Sequence, residues 1–404
     1  MPGNMLRPMK PVTHRAAWVM ADPWTLIPNG YVTADVGRIL AVGCWGQGRA
    51  AADTDSGHII DHGPGLLMPC LVNAHSHMEL CALGGKTVSN RGFIAWVESV
   101  IALKADIADT DLIKAAREGY GRSLTEGVRV LGDISTSGIT ESVFHELPVL
   151  GVLFREYLGS ASEDPLCRRI GPAKTISLAG HAPHTTAPDL LVRLKNITRR
   201  QGLPFAIHLA ESAAEMEFIA VGAGPWADLL RAREIDFSTW RFLRQSPVAY
   251  ADTLGLLDDA TLAVHLVYAD KNDIGLLADR HVKVCLCPQS NMSLHGRLPD
   301  LPAMLNAGIK PCLGTDSPAS NPDASIWAEM AFLVKSFPGI ASSEVLAMAT
   351  CNGAAALGLG DLLGRLKPGF MADLIYLPIH ATTPQTIMES LVHDRPDPDL
   401  ISHI

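Results

Sequence analysis

The apolar positions of this chain fall into two regimes. Over residues 15–65, short β-like runs (Ala16–Met20, Tyr31–Thr33, Arg38–Val42) are broken by Pro and Gly, the pattern of a small β-rich unit. From Leu66 onward, compact apolar runs alternate with longer stretches rich in Ala, Leu, Glu and Arg. The runs are 66–74, 128–134, 149–155, 176–180, 205–209, 262–267, 282–287 and 309–314. Helix-compatible segments such as 111–126, 188–201 and 271–280 lie between many of them. Eight alternations over about 250 residues predict an α/β fold, a (β/α)8 TIM barrel. The runs are apolar throughout rather than alternating, which fits parallel strands buried on both faces. Residues 342–358 are Ala-rich and read as helix, and GRLKPGFMADLIYLP (364–378) returns to turn and strand. The pattern therefore predicts a barrel over 66–363 and a small composite β-sandwich domain built from both chain ends, 1–65 and 364–404. Beyond Pro384, HDRPDPDL reads as loop.

Composition narrows the class. A net charge of -9 and the lack of any dense Lys/Arg run argue against a nucleic-acid surface. No apolar stretch approaches the roughly 20 residues that span a bilayer, so no membrane partner is expected. The start, MPGNMLRPMK, has no apolar core of signal-peptide length behind it, and no export is expected. The eight cysteines are scattered without a C-x-x-C pair, which fits a reducing, cytoplasmic setting.

The polar residues are more specific. In such a barrel, chemistry sits at the C-terminal ends of the strands. Strand one ends in His75-x-His77, strand four runs into His181-Ala-Pro-His184, and strand five ends in His208-Leu-Ala-Glu211. Strand six carries His265, and strand eight ends in Gly314-Thr315-Asp316. A lone His at a strand end is more often a satisfied core residue, but five strands delivering His or Asp to one rim point to a metal centre. His75, His77, His208 and Asp316 are the expected ligands, since imidazole and carboxylate suit one divalent ion, zinc or iron. Such an ion brings the pKa of water to about 7. Glu211 stands beside a ligand without being one and is the expected proton shuttle, with His265 and Asp316 as its catalytic partners.

The motifs PCLVNAHSHMEL, GHAPHTTAPDLL, HLAES, SPVAYADTLGLL, VCLCPQSNMSLHG, CLGTDSPASN and ATCNGAAALGLGDLLGRLKPGFMADLIYL occur in an order that resembles the amidohydrolase superfamily. The match is to its mononuclear aminohydrolase branch of S-adenosylhomocysteine, guanine and cytosine deaminases and triazine chlorohydrolases. The resemblance implies that His75, His77, His208 and Asp316 bind the metal, that Glu211 and His265 do acid/base work, and that the enzyme is a homodimer. Strand four, TISLAGHAPH, lacks the carboxylated Lys or Glu of dinuclear relatives, so one ion is expected.

Within that branch, H-S-H-M-E-L is similar to 6-aminodeoxyfutalosine deaminase, which acts on the futalosine route to menaquinone. S-adenosylhomocysteine, adenosine or guanine deamination, or a chloro- or amide hydrolase activity, are the alternatives. Three residues bear on the small-molecule substrate. Glu79 suits a ribose diol, or is a loop acid or salt-bridge partner. By its likeness to the A-P-H of nucleoside-type relatives, His184 contacts the substrate, or it is a loop histidine with no ligand. Arg155 pairs with a substrate carboxylate, or with a neighbouring Glu or Asp. Cys285-x-Cys287 reads as buried thiols rather than a metal site, Trp96 as core packing or a pocket wall, and Ser290-Asn291 as shaping the rim loop.

Overall fold

The computed structural model describes residues 10–47, 58–87, 91–160, 165–380 and 382–404. Eight parallel strands form the barrel: β6 (Leu71–Ser76), β7 (Val128–Ser135), β8 (Leu150–Tyr157), β10 (Lys174–Gly180), β11 (Phe205–Leu209), β12 (Thr261–His265), β13 (Lys283–Leu286) and β14 (Cys312–Leu313). A short antiparallel strand, β9 (Arg168–Gly171), is added beside β10. Every expected apolar run holds a barrel strand, and helices lie between them. The strands are buried almost end to end, and all residues of β6, β11 and β12 are buried, as expected where one face meets the barrel lumen and the other the helical layer.

Closure occurs between β14 and β6. The Asn73 side chain donates to Thr315 Oγ1 at 2.8 Å and accepts from Thr315 N at 3.1 Å. Both Thr315 N and Asp316 N donate to the His75 carbonyl at 3.0 Å. Gly314 permits this approach, because a Cβ there would lie 2.7 Å from His75 Cβ.

The two chain ends build a second sheet of seven strands. It comprises β1 (Val12–Asp22), β2 (Thr25–Asp35), β3 (Arg38–Cys44), β4 (His58–Asp61), β5 (Leu66–Pro69), β15 (Leu374–Leu377) and β16 (Ser402–His403). They are hydrogen-bonded as one sheet around Val19, Val32, Ile39, Leu67 and Phe370. β5 pairs with β1 and β15, then runs directly into β6. The tail after Pro384 is a helix, Pro384–His393, whose Ile387, Leu391 and Val392 are buried in the main core. Among the described residues, no helix is long and apolar enough to cross a membrane.

Candidate active site

The strand ends bring the expected ligands together. His75 Nε2 and His77 Nε2 stand 3.2 Å apart. Asp316 Oδ1 lies 3.6 Å from the first and 3.4 Å from the second. The His208 ring packs against both, with centroids at 4.9 Å and 5.4 Å. Ligands roughly 2.1 Å from a tetrahedral ion stand about 3.4 Å from each other, so His75, His77 and Asp316 fit a small divalent cation, while the donor atoms of His208 group with those of His75 and His265 and with those of Glu156 and His181. The protonation states fit too, because a metal needs neutral imidazoles and an ionised carboxylate. Burial, then the charge on His75, pushes His77 down to about 4. Burial and the surrounding histidines hold His208 well below its ordinary value. For Asp316, burial opposes ionisation, but the hydrogen bond and charges of His75, with His265 and His77, outweigh it and hold the carboxyl well below the usual range. Ser290 and Ser320 donate to Asp316 Oδ2 at 2.6 and 3.0 Å, which fixes its plane.

Backbone strain accompanies the site. Ala210, His265, Leu266 and Asp316 all have positive φ, at 49°, 75°, 54° and 59°. Such residues persist only where their surroundings over-determine them, and they cluster at functional sites.

The expected acid/base pair is adjacent. Glu211 Oε1 lies 3.8 Å from His265 Nε2 and accepts from His295 Nε2 at 3.3 Å. Burial works against its charge, but His265 and His295 prevail and hold the Glu211 carboxyl at about 2. Its backbone is fixed by Glu215, whose carboxylate accepts from Ala210 N and Glu211 N at 3.0 and 2.7 Å. His265 Nδ1 donates to Asn291 Oδ1 at 2.9 Å, which leaves Nε2 facing the site.

His77, His208, Asp316, Glu211 and His265 form the floor of a cavity of about 590 Å³ at the barrel mouth. Its outer wall is apolar. Phe93, Trp96, Val97 and Val100 come from the helix Phe93–Ala105, and Leu229 and Leu230 from the helix Pro225–Ala232. Lys104 and Arg233 are the cations on the lining.

The amidohydrolase family pattern matches residues 66–396. The chain belongs to the amidohydrolase family. It is an enzyme of hydrolytic deamination, acting on C–N bonds. A 5-methylthioadenosine/S-adenosylhomocysteine deaminase of Syntrophobacter fumaroxidans is 30% identical over 369 residues, covering 84% of this chain and 77% of that protein. The aminofutalosine deaminase of Helicobacter pylori, solved with methylthio-coformycin, superposes with a TM-score of 0.82 at 22% identity, over 94% of this chain and 96% of that one. A zinc-bound adenosine deaminase from Xanthomonas campestris superposes with a TM-score of 0.78 at 22% identity, over 98% and 91%. At these identities the two structures establish the fold.

In this amidohydrolase, three expected substrate residues lie elsewhere. Glu79 is buried behind the cavity wall. Its carboxylate accepts from Lys104 Nζ at 2.6 Å, Ser135 Oγ at 3.0 Å, Thr136 N at 3.1 Å and Ser137 Oγ at 2.9 Å, so it has no free lone pair for a ribose. It is the salt-bridge partner of the two readings. His184 is buried against Trp226, with ring centroids 4.2 Å apart, and its Nδ1 lies 3.7 Å from Glu215. It does not line the cavity, whereas His181 does. Arg155 turns outward to Glu141, with which it forms a hydrogen-bonded ion pair. Side chains alternate along a strand, so the inward residue at this strand end is Glu156, not Arg155.

Glu156 and His181 are the residues that motif reading passed over. Burial pushes the Glu156 carboxyl up to about 8, against the hydrogen bond from Thr136. His181 is pushed down to about 3 by burial and His184. His295 also had no strand-end signal, because it ends the helix Pro288–His295 after β13. Cys285 and Cys287 are buried free thiols and belong to none of the donor clusters among the described residues.

Proposed function

We propose that this amidohydrolase removes the exocyclic amine of an adenine nucleoside, and that the preferred substrate is 6-aminodeoxyfutalosine, giving futalosine and ammonia on the route to menaquinone. The observation that carries the reading is one cavity with a polar floor of His77, His208, Asp316, Glu211 and His265, backed by the buried His75, beneath an apolar wall. The floor suits the reacting amidine edge of a purine. The wall suits an apolar or aryl substituent at the far end, and Arg233 suits the carboxylate of a benzoate.

A divalent ion held by His75, His77, His208 and Asp316 would supply a Lewis acid and acidify water to a pKa of about 7. The chain's own groups do the rest. Glu211 rests ionised, so it takes a proton from the attacking water and passes it to the ring nitrogen beside the amine-bearing carbon. His265 Nε2 and Asp316 orient that water and accept its remaining proton, which leaves with the departing ammonia. His295 and Glu215 keep Glu211 in place. The dry cavity strengthens each interaction.

A second reading rests on the relatives named 5-methylthioadenosine/S-adenosylhomocysteine deaminase, because a methylthio group also suits the apolar wall. The test is ammonia release by metal-loaded enzyme from aminodeoxyfutalosine, 5-methylthioadenosine, S-adenosylhomocysteine, adenosine and guanine. The reading expects the highest kcat/KM for aminodeoxyfutalosine. A higher value for one of the thio-nucleosides would select the second reading, and no release from any would remove nucleoside deamination.

A further inference from the structure

Among the described residues lining the barrel mouth, Glu156 is the buried carboxyl group that neither the ligand set nor the acid/base pair uses. It stands one residue before the end of β8 on the cavity wall and is 6% exposed. Its Oε2 accepts from Thr136 Oγ1 at 2.8 Å, while Oε1 is buried with no hydrogen-bond partner. His208 Nδ1 lies 3.6 Å from Oε1. That nitrogen lies 2.9 Å from the His181 carbonyl, and a carbonyl can only accept, so its hydrogen is already committed. For the same reason His208 has no lone pair on this side to give a second cation, although Glu156, His181 and His208 cluster within 4.8 Å.

Strand order gives the arrangement a direction. Around the barrel the expected ligands lie on β6 and β11 and just beyond β14, and the acid/base pair belongs to β11 and β12. The remaining arc of β7, β8 and β10 supplies Thr136, Ser137, Glu156 and His181 to the lining. A nucleoside with its reacting carbon over the ligand set must extend across the mouth, and this arc is the polar part it meets. Native folds rarely keep a buried polar oxygen unpaired without a use.

Resting on the nucleoside reading above, we propose that Glu156 is a substrate-contacting residue whose free carboxyl oxygen hydrogen-bonds to a hydroxyl or amine group of the bound nucleoside, beside His181. The group is either a sugar hydroxyl or an amine of the base, and the two are separable by experiment.

The test compares full-length, metal-loaded wild type, Glu156→Ala and Glu156→Gln on adenosine and 2′-deoxyadenosine, with metal content and Tm measured on each variant. Glu156→Ala is expected to lower kcat/KM roughly 10-fold or more, chiefly through KM, with metal content unchanged. Glu156→Gln, which keeps a hydrogen-bonding group at the same reach, should restore part of the loss. If the partner is the 2′-hydroxyl, the alanine variant loses the wild type's discrimination between the two nucleosides. If the partner is on the base or elsewhere on the sugar, both nucleosides suffer equally. Unchanged KM and kcat in both variants would overturn the inference alone, as would loss of metal from Glu156→Gln. No ammonia from wild type with any nucleoside removes the functional reading and this inference with it.

Discussion

Glu211 and His77 show what single residues contribute. Glu211 is ionised, buried and held by His295, yet it is not in the cluster of His75, His77 and Asp316. Glu211→Gln keeps the shape and removes the proposed proton carrier. It is expected to retain metal and lower kcat by about 10²–10⁴-fold, read from metal analysis and steady-state kinetics on the same preparation. His77 sets the pH behaviour. In the folded, metal-free protein it takes up its proton only near 4, whereas the unfolded chain takes it up near the ordinary 6.5. The unfolded state therefore binds more protons between those values, and the stability of the metal-free enzyme falls as pH drops from 6.5 to about 4. Metal content after dialysis should stay level from pH 8 to about 5 and collapse near 4; a decline beginning at 6.5 would contradict this. Glu79 now belongs to a loop anchor. Glu79→Ala frees Lys104 and the donors of residues 135–137 and is expected to cost about 2 kcal/mol in urea unfolding, with bound metal unchanged.

The element scale explains which parts of the site could be read from sequence. A strand ending in His-x-His puts both rings on one face, and a barrel aims every strand end at one rim. The positions of His75, His77, His208, His265 and Asp316 therefore followed from spacing alone. Partner choice did not. Glu79 and His184 are committed by Lys104 and Trp226, which come from helices 25 and 42 positions away along the chain. Arg155 was a different error, because the period of β8 was available and places Glu156 inward. Arg155→Ala should leave kcat/KM within about two-fold of wild type and lower stability by less than about 1 kcal/mol, as a partly exposed ion pair with Glu141 does. A large rise in KM would return Arg155 to the substrate. The tail helix Pro384–His393 was unreadable for another reason. Its apolar positions Ile387, Leu391 and Val392 do space like a helix, but the flanking prolines masked them.

For the whole molecule, the chain ends are structural partners of the barrel. β15 hydrogen-bonds to β5, and β5 feeds β6, which carries His75 and leads into His77, the first two expected ligands. Arg395 pairs with Asp323 and with Glu126, and Glu126 also holds Ser325. The alternation of strand and helix made this architecture legible. The pairing of the two ends was inferred from a returning strand pattern, and its register depended on contacts that no local window contains.

Closure between Asn73 and Thr315 spans 242 positions of sequence, and it sets a timetable. While the chain is being synthesised, His75 and His77 are available long before Asp316 exists. The complete donor set arises only when the last barrel strand docks onto the first. Such distant pairings form late and slowly. Metal capture should thus be the final event of biogenesis rather than its nucleus. Refolding of the denatured enzyme, followed by tryptophan fluorescence, is expected to proceed at the same rate with a chelator present as with zinc. Activity should appear only afterwards, on adding the ion; a chelator that abolishes the fluorescence change would reverse that order.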